Sequence, residues 1–114
     1  MAIRYEDVND EVRRIFLSGR LDTAGAEQIA GELESLVGSA KAGVLVDLSD
    51  VSFLSSMGIR ALIAGAKIRQ AKGGRMVLST SGNDVVVRTL AATGVDELIP
   101  TFDDEDDAES ALLD

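Results

Sequence analysis

The sequence predicts a single α/β domain over residues 1–114, with an open, mostly parallel sheet of four or five strands and about four helices. Short runs of β-branched and aliphatic residues alternate along the chain with longer stretches in which apolar residues recur every three or four positions. A polar turn separates the first two apolar runs, which indicates a hairpin and one antiparallel edge. The later strands are separated by helices, and such connections are right-handed parallel crossovers.

The first half of the chain is predicted to contain the hairpin, a helix and a third strand. The hairpin strands cover 3–7 and 12–21. The helix follows Asp22-Thr23, whose side-chain oxygens can accept hydrogen bonds from its first N–H groups, and Gly38 is its expected end. The apolar run 43–48 indicates a central strand that is covered on at least one face.

The second half is predicted to contain a connector, a helix, a strand, a helix, a short edge strand and a last, acidic helix. We expect the connector at 49–54, the helices at 56–71, 81–90 and 103–113, and the strands at 75–79 and 98–99. Gly73-Gly74 ends the first of these helices and Thr93-Gly94 ends the second. Pro100, the only proline, is expected to end the edge strand.

The composition excludes several classes of function. The chain has no Cys and no His, so disulfides, thiolate chemistry, the commonest general base and the commonest metal ligand are all absent. The carboxylates Asp47 and Asp50 have no His or Lys beside them that would suggest acid–base work. We therefore predict no catalytic residues, no cofactor and no metal site, and a protein that is not an enzyme.

The charge distribution and the hydropathy limit the classes of partner that we expect. All of the net charge of −9 lies in the last part of the chain, where nine acids and no base follow Val95. Nucleic-acid binding needs clustered Lys and Arg, so it is not expected. No run approaches the roughly 20 apolar residues that span a membrane. The N-terminus does not resemble a signal peptide, so a cytoplasmic location is expected.

Two helix starts could carry function. Ser55-Ser56-Met57-Gly58 stands where the connector meets the second helix, and its serines have a simple structural role as caps. The free N–H groups of a first helical turn can also hold an anion, and Arg60 lies one turn into the same helix. Asp22-Thr23 starts the first helix, again just beyond a strand, where ligands of open α/β sheets usually bind.

The motifs resemble a known family over about residues 10–113. Residues 15–23, IFLSGRLDT, resemble the L-x-G-x-L-D strand-to-helix entry of the STAS family, the bacterial anti-sigma factor antagonists. Residues 44–59 are similar to that family's central strand and phosphorylation loop, and 73–78 to its next strand. Residues 93–100, TGVDELIP, are similar to its closing segment. The resemblance implies a STAS-like fold.

The resemblance also implies a mechanism. Family members bind an anti-sigma factor, often also a serine kinase, and release the sigma subunit that it holds. Phosphorylation of a loop serine breaks the complex, and a serine phosphatase restores it. The family's D-S-[ST]-G motif places the acceptor at Ser56, with Ser55 in place of the aspartate and Met57 after the acceptor. The implied partner-binding surface consists of Asp22, Thr23, Ser55, Ser56, Met57, Gly58, Ile59 and Arg60.

Two other interpretations of the sequence stay open. A STAS domain lacking the full motif can instead be a non-phosphorylated scaffold subunit of a lipid-transport or stress-sensing complex. A response-regulator receiver domain has a similar length and order of elements. It needs a lysine late in the chain, however, and none follows Lys72. The oligomeric state is open between a monomer and a weak dimer.

Overall fold

The chain forms five strands and five helices in a computed structural model that describes residues 2–40 and 43–113. The strands are β1 (Ala2–Asp7), β2 (Val12–Leu21), β3 (Gly43–Leu54), β4 (Arg75–Ser79) and β5 (Thr101–Phe102). The helices are α1 (Thr23–Ser39), α2 (Ser56–Ala71), α3 (Asp84–Thr93), α4 (Val95–Leu98) and α5 (Glu105–Leu113). The predicted domain limits, Met1 and Asp114, lie outside the described residues.

The strands form one mixed sheet in the order β1-β2-β3-β4-β5. β1 pairs with β2 in antiparallel fashion, and every other neighbouring pair is parallel. Asn9 closes the hairpin, because its side-chain oxygen accepts hydrogen bonds from the backbone N–H groups of Glu11 at 2.7 Å and Val12 at 3.0 Å. The predicted α/β class with a mostly parallel sheet and one antiparallel edge is confirmed.

β3 lies at the centre of the sheet, and its first six residues, 43–48, are all buried. Val44, Val46 and Leu48 pack into a large apolar cluster with α1, α2, α3 and α4. The alternate side chain, Leu45, faces the other way into a small cluster with Val77 of β4 and residues of α5. A central parallel strand that is apolar on both faces is what this two-sided covering requires.

β3 is six residues longer at its C-terminal end than predicted, so the expected connector 49–54 is wrong. β3 stays paired with β2 as far as Leu54, but only through two register shifts. Phe16 pairs with Asp47 whereas Ser18 pairs with Asp50, so β3 carries an extra residue at the first shift. Such bulges interrupt the alternation of apolar and polar residues that identifies a strand in a sequence.

The expected edge strand at Leu98-Ile99 is also wrong. Gly94 adopts a left-handed conformation with φ 76°, after which residues 95–98 form the short helix α4. The edge strand β5 follows Pro100 instead of preceding it. Proline has no N–H group, but its carbonyl oxygen accepts a hydrogen bond from Leu78 of β4 at 2.9 Å, so it can start this strand.

Three helices differ from the predictions by smaller amounts. α3 spans Asp84–Thr93 instead of 81–90, because Asn83 is its N-cap and Gly94, with a positive φ, is its C-cap. α1 continues through Gly38 to Ser39, and the side chain of Arg69 then donates to the carbonyl oxygens of Val37 and Ala40. This buried cation satisfies carbonyls that a C-terminal glycine turn would otherwise satisfy. α5 starts at Glu105 instead of residue 103. The carboxylate of Asp104, just before the helix, accepts a hydrogen bond from the N–H of Asp106 at 2.7 Å.

Candidate functional site

Two helices begin side by side at one edge of the sheet. β2 and β3 end together, since their last residues, Leu21 and Leu54, are paired. α1 begins just after the first of these strands and α2 just after the second. The carboxyl ends of parallel strands therefore place the two predicted functional segments, Asp22-Thr23 and Ser55-Ser56, next to each other.

Ser55, and not Ser56, is the N-cap of α2. Its hydroxyl oxygen accepts a hydrogen bond from the N–H of Gly58 at 3.2 Å. The same hydroxyl donates to the carbonyl oxygen of Leu21 at 2.8 Å, and the backbone N–H of Ser55 donates to that oxygen at 2.9 Å. An aspartate, which is ionised at neutral pH, could accept but could not donate. Ser55 therefore both caps α2 and attaches its start to the end of β2.

Ser56 is the first residue of α2, and it is exposed. Its hydroxyl makes no hydrogen bond with any residue in the described ranges. It lies at the positive end of the helix macrodipole, where negative charge is favoured. Capping, the simple structural role considered for this pair of serines, therefore belongs to Ser55 alone.

The other predicted residues of α2 divide between surface and core. Arg60, one turn after Ser56, is exposed. Met57 is partly buried against the main core cluster, and Gly58 and Ile59 are buried. The side chains available to a partner at this helix start are therefore mainly those of Ser56 and Arg60, with part of Met57.

Asp22 is the N-cap of α1, and its neighbour Thr23 is exposed. One carboxylate oxygen of Asp22 accepts from the N–H of Gly25 at 2.8 Å, and the other lies 3.5 Å from the Nε of Arg20. The hydrogen bond from Gly25 lowers the pKa of this carboxyl below its usual value, and Arg20 lowers it further. A carboxylate thus already occupies the start of α1.

Two glycines allow both helices to approach the end of β2 closely. A Cβ atom on Gly25 would lie 2.2 Å from the carbonyl oxygen of Arg20. A Cβ atom on Gly58 would lie 2.8 Å from the carbonyl oxygen of Leu21 and closer still to its side chain. Gly58 was predicted as part of the partner surface, but its position gives it a packing role. Gly25 was not singled out, because only the folded chain brings it against β2.

An aromatic and two cations border the site. The guanidinium of Arg20 stacks 4.7 Å from the centre of the Phe53 ring, and 39% of Phe53 is exposed. Arg60 lies on the α2 side. Within residues 2–40 and 43–113 no group of three acidic side chains is placed to hold a metal ion. An exposed aromatic ring and arginine side chains are groups that protein interfaces favour.

The buried acid Asp47 lies apart from the site and has a structural environment. Its carboxylate pairs with Arg14 at 2.8 Å and accepts from both the N–H and the hydroxyl of Ser49. Arg14 also pairs with Glu105 of α5. No signal in the sequence joins Arg14 to Asp47, because their pairing depends on neighbouring strands of the folded sheet.

Several of the solved structures with the same fold are described as anti-sigma factor antagonists, and one is described as a sulfate transporter family protein from Wolinella succinogenes, with a TM-score of 0.72 at 19% identity over 89% of this chain and 84% of that one. One of the antagonists, from Mycobacterium paratuberculosis, has a TM-score of 0.87 at 27% identity and covers 99% of this chain and 94% of its own. An anti-sigma-factor antagonist (STAS) domain protein from Planctomyces limnophilus has a TM-score of 0.82 at 28% identity, over 98% of both chains. The anti-sigma factor antagonist SpoIIAA in its unphosphorylated form has a TM-score of 0.76 at 22% identity, over 96% of this chain and 95% of that one.

A comparison with curated protein sequences found no significant match. None of the helices in the described residues is both long and apolar enough to cross a membrane. Residues 6–108 match the STAS domain family, which is nearly the whole chain. The sequence motifs, the order of the elements and this match agree, and the chain belongs to the STAS domain family.

Proposed function

We propose that this protein is an anti-sigma factor antagonist that is switched by phosphorylation of Ser56. In its unmodified form it binds an anti-sigma factor of the serine kinase type through the start of α2 and the adjoining start of α1. Phosphorylation of Ser56 releases the partner, and a serine phosphatase restores binding. The protein acts in the cytoplasm, regulates transcription indirectly and is not an enzyme. The observation that carries this proposal is that Ser56 is exposed and that its hydroxyl makes no hydrogen bond within the part of the chain that the structure describes.

The relatives support the class of partner. Two solved structures that share 27% and 28% identity with this chain are described as anti-sigma factor antagonists, and each match covers nearly the whole chain. The eight residues predicted to contact the partner cluster at one edge of the fold, although two of them are buried. The surface they form is therefore centred on Ser56 and Thr23, with Arg60 on one side.

Magnitudes favour a switch that acts at the contact surface over one that refolds the domain. A phosphoserine adds about −1.5 to −2 charges at neutral pH. At a helix N-terminus such a charge is stabilised by about 0.3–1 kcal/mol, too little to rearrange a core. Enclosing an uncompensated charge in an interface, in contrast, costs about 3–5 kcal/mol. The fold should therefore stay the same while the interface fails.

The proposal is tested by using Ser56→Ala and Ser56→Asp chains as baits for partner capture. We expect the wild-type and Ser56→Ala chains to capture the same anti-sigma factor and Ser56→Asp to lose it. Their circular dichroism spectra should be the same. Ser35→Asp, which places the same charge at an exposed position within α1, is the matched control and should capture the partner normally. A Ser56→Asp chain that captures as well as the control would contradict the proposal.

The second candidate is a scaffold subunit that is never phosphorylated. The observation that favours it is the departure from the family motif, with Ser55 in place of the aspartate and Met57 after the acceptor. Mass analysis of the protein isolated from growing and from stressed cells separates the two candidates. A phosphate on Ser56 in either sample supports the switch, and its absence from all samples supports the scaffold.

A further inference from the structure

The last part of β3, which leads into Ser55, has a neighbouring strand on one side only. β4 pairs with β3 from Gly43 to Asp47 and no further. Beyond Asp47, β2 is the one strand of residues 2–40 and 43–113 that remains paired with β3, and it does so through two register shifts. The carbonyl groups that β3 directs away from β2 in this part therefore need other donors, because unpaired buried carbonyls are costly.

One side chain supplies those donors. The amide nitrogen of Asn83 lies 2.9 Å from the carbonyl oxygen of Leu48, 3.2 Å from that of Ser49 and 2.7 Å from that of Val51. The amide oxygen of Asn83 points the other way and accepts from the N–H of Val86 at 3.5 Å, which makes Asn83 the N-cap of α3. The two ends of one amide thus join the start of α3 to the bulged part of β3.

The same bulge is held from its other side by an acceptor. Asp47 accepts from the backbone N–H of Ser49 at 2.8 Å and from its hydroxyl at 2.6 Å. Asp47 is itself fixed by Arg14. The irregular part of β3 is therefore held by the Asp47 carboxylate at the N–H of Ser49 and by the Asn83 amide at three carbonyls. Asn83 is far from β3 in the sequence, and so is Arg14, which fixes Asp47.

We infer that Asn83 is a positioning residue for the Ser56 site. By holding the carbonyls of Leu48, Ser49 and Val51 it sets the path of β3 up to Leu54 and hence the place where α2 begins. The consequence for partner binding rests on the proposed function, whereas the positioning itself does not. The amide donor is required, since its NH2 group shares two hydrogens among the three carbonyls, whereas a carboxylate at residue 83 has none to donate and a hydroxyl has one.

The first test needs no partner. Asn83→Asp keeps a capping oxygen and replaces the donor with an oxygen that repels the three carbonyls, and Asn83→Ser keeps a shorter cap with no charge. In both variants we expect hydrogen exchange of the backbone N–H of Ser55, which bonds to Leu21, to be about tenfold faster than in the wild type. Val86→Ala, which creates a cavity under α3 but leaves the amide in place, is the matched control.

Local exchange separates positioning from a general loss of stability. Rates in the variants and the control are compared after correction for each chain's global unfolding free energy, and α1 amides serve as an internal reference. Faster exchange confined to residues 48–58 in Asn83→Asp and Asn83→Ser, and absent in Val86→Ala, supports the inference. The inference is overturned if residues 48–58 of either Asn83 variant exchange at the wild-type rate, or if the same residues exchange equally fast in Val86→Ala.

The second test measures affinity for the partner captured by the Ser56→Ala bait. We expect Asn83→Ser to bind about tenfold more weakly than Val86→Ala at a temperature where both are folded. If Ser56→Asp releases the partner but Asn83→Ser binds like the control, the inference is wrong and the proposed function stands. If Ser56→Asp binds normally, the proposed function is wrong, and the exchange measurement still decides the role of Asn83.

Discussion

The starts of α1 and α2 are built alike and differ in charge. α1 follows β2 and α2 follows β3, and these two strands are paired with each other up to their last residues. Each helix has an N-cap whose side chain accepts a hydrogen bond from the N–H group three residues later. In each, that N–H belongs to a glycine that lies against the end of β2. The cap of α1 is the carboxylate of Asp22, however, and the cap of α2 is the hydroxyl of Ser55.

This difference shows which helix start is available to a new negative charge. At α1 a carboxylate already compensates the partial positive charge of the first turn, so a phosphate on Thr23 would meet a like charge. At α2 the cap is the neutral hydroxyl of Ser55, so a phosphate on Ser56 would meet no charge on the cap of its own helix, and Arg60 lies four residues later in that helix. The difference between the two caps therefore supports the proposal that Ser56, rather than Thr23, is the phosphorylated residue.

The largest effect is expected where the two helices touch β2. Gly25→Ala places a Cβ atom against the carbonyl oxygen of Arg20, so α1 must move, and we expect the unfolding free energy to fall by about 3 kcal/mol. Gly31→Ala, at an exposed position of the same helix where the new Cβ would meet nothing within 4 Å apart from the adjacent helix backbone, should instead raise it by about 0.5–1 kcal/mol. Urea denaturation measures both, and equal effects would refute the close approach.

A moderate effect is expected at the neutral cap. Ser55→Ala removes the bond from Gly58 and the bond to Leu21, so we expect the unfolding free energy to fall by about 1–2 kcal/mol. Ser56→Ala, one residue on, removes no hydrogen bond and should change it by less than about 0.5 kcal/mol. Urea denaturation of the two variants side by side checks which serine is the N-cap. A larger loss of unfolding free energy in Ser56→Ala than in Ser55→Ala would mean that Ser56 is the cap.

The smallest effect is expected at the charged cap, and it depends on pH. Asn caps helices as well as Asp does, so Asp22→Asn isolates the charge. The folded pKa of Asp22 is lowered, so its stabilisation is complete above the unfolded pKa of about 3.9 and is lost as the pH falls through the folded value. The wild type should be more stable than Asp22→Asn at neutral pH, and the difference should vanish in acid. A difference that is constant with pH would contradict this.

Much of the fold could be predicted because the signals are local. The limits of α2 and β4 agree with the predictions, since each is bounded by serines or glycines that cap or turn the chain. Gly94 ends α3 as expected, with the positive φ that glycine allows. In these elements, the capping and turning residues at the boundaries are enough to predict where the structure starts and stops.

The parts that sequence reasoning missed depend on contacts between distant residues. β3 continues to Leu54 because β2 and Asn83 hold its bulges, and neither partner is near it in the sequence. α1 continues past Gly38 because Arg69 reaches the end of the helix from α2. The same reason explains the site: the motif identified Ser56, but the close approach of Gly25 and the hydrogen bonds of Asn83 exist only in the folded chain.

The central claim is that negative charge at Ser56 releases the partner and leaves the fold unchanged. The most direct measurement is a calorimetric titration of the captured partner with the chain carrying phosphoserine at residue 56 and with the unmodified chain. Our account predicts that affinity falls by at least about 100-fold, which corresponds to about 3 kcal/mol, with unchanged circular dichroism. Equal affinities, or a loss of affinity that accompanies unfolding, would contradict it.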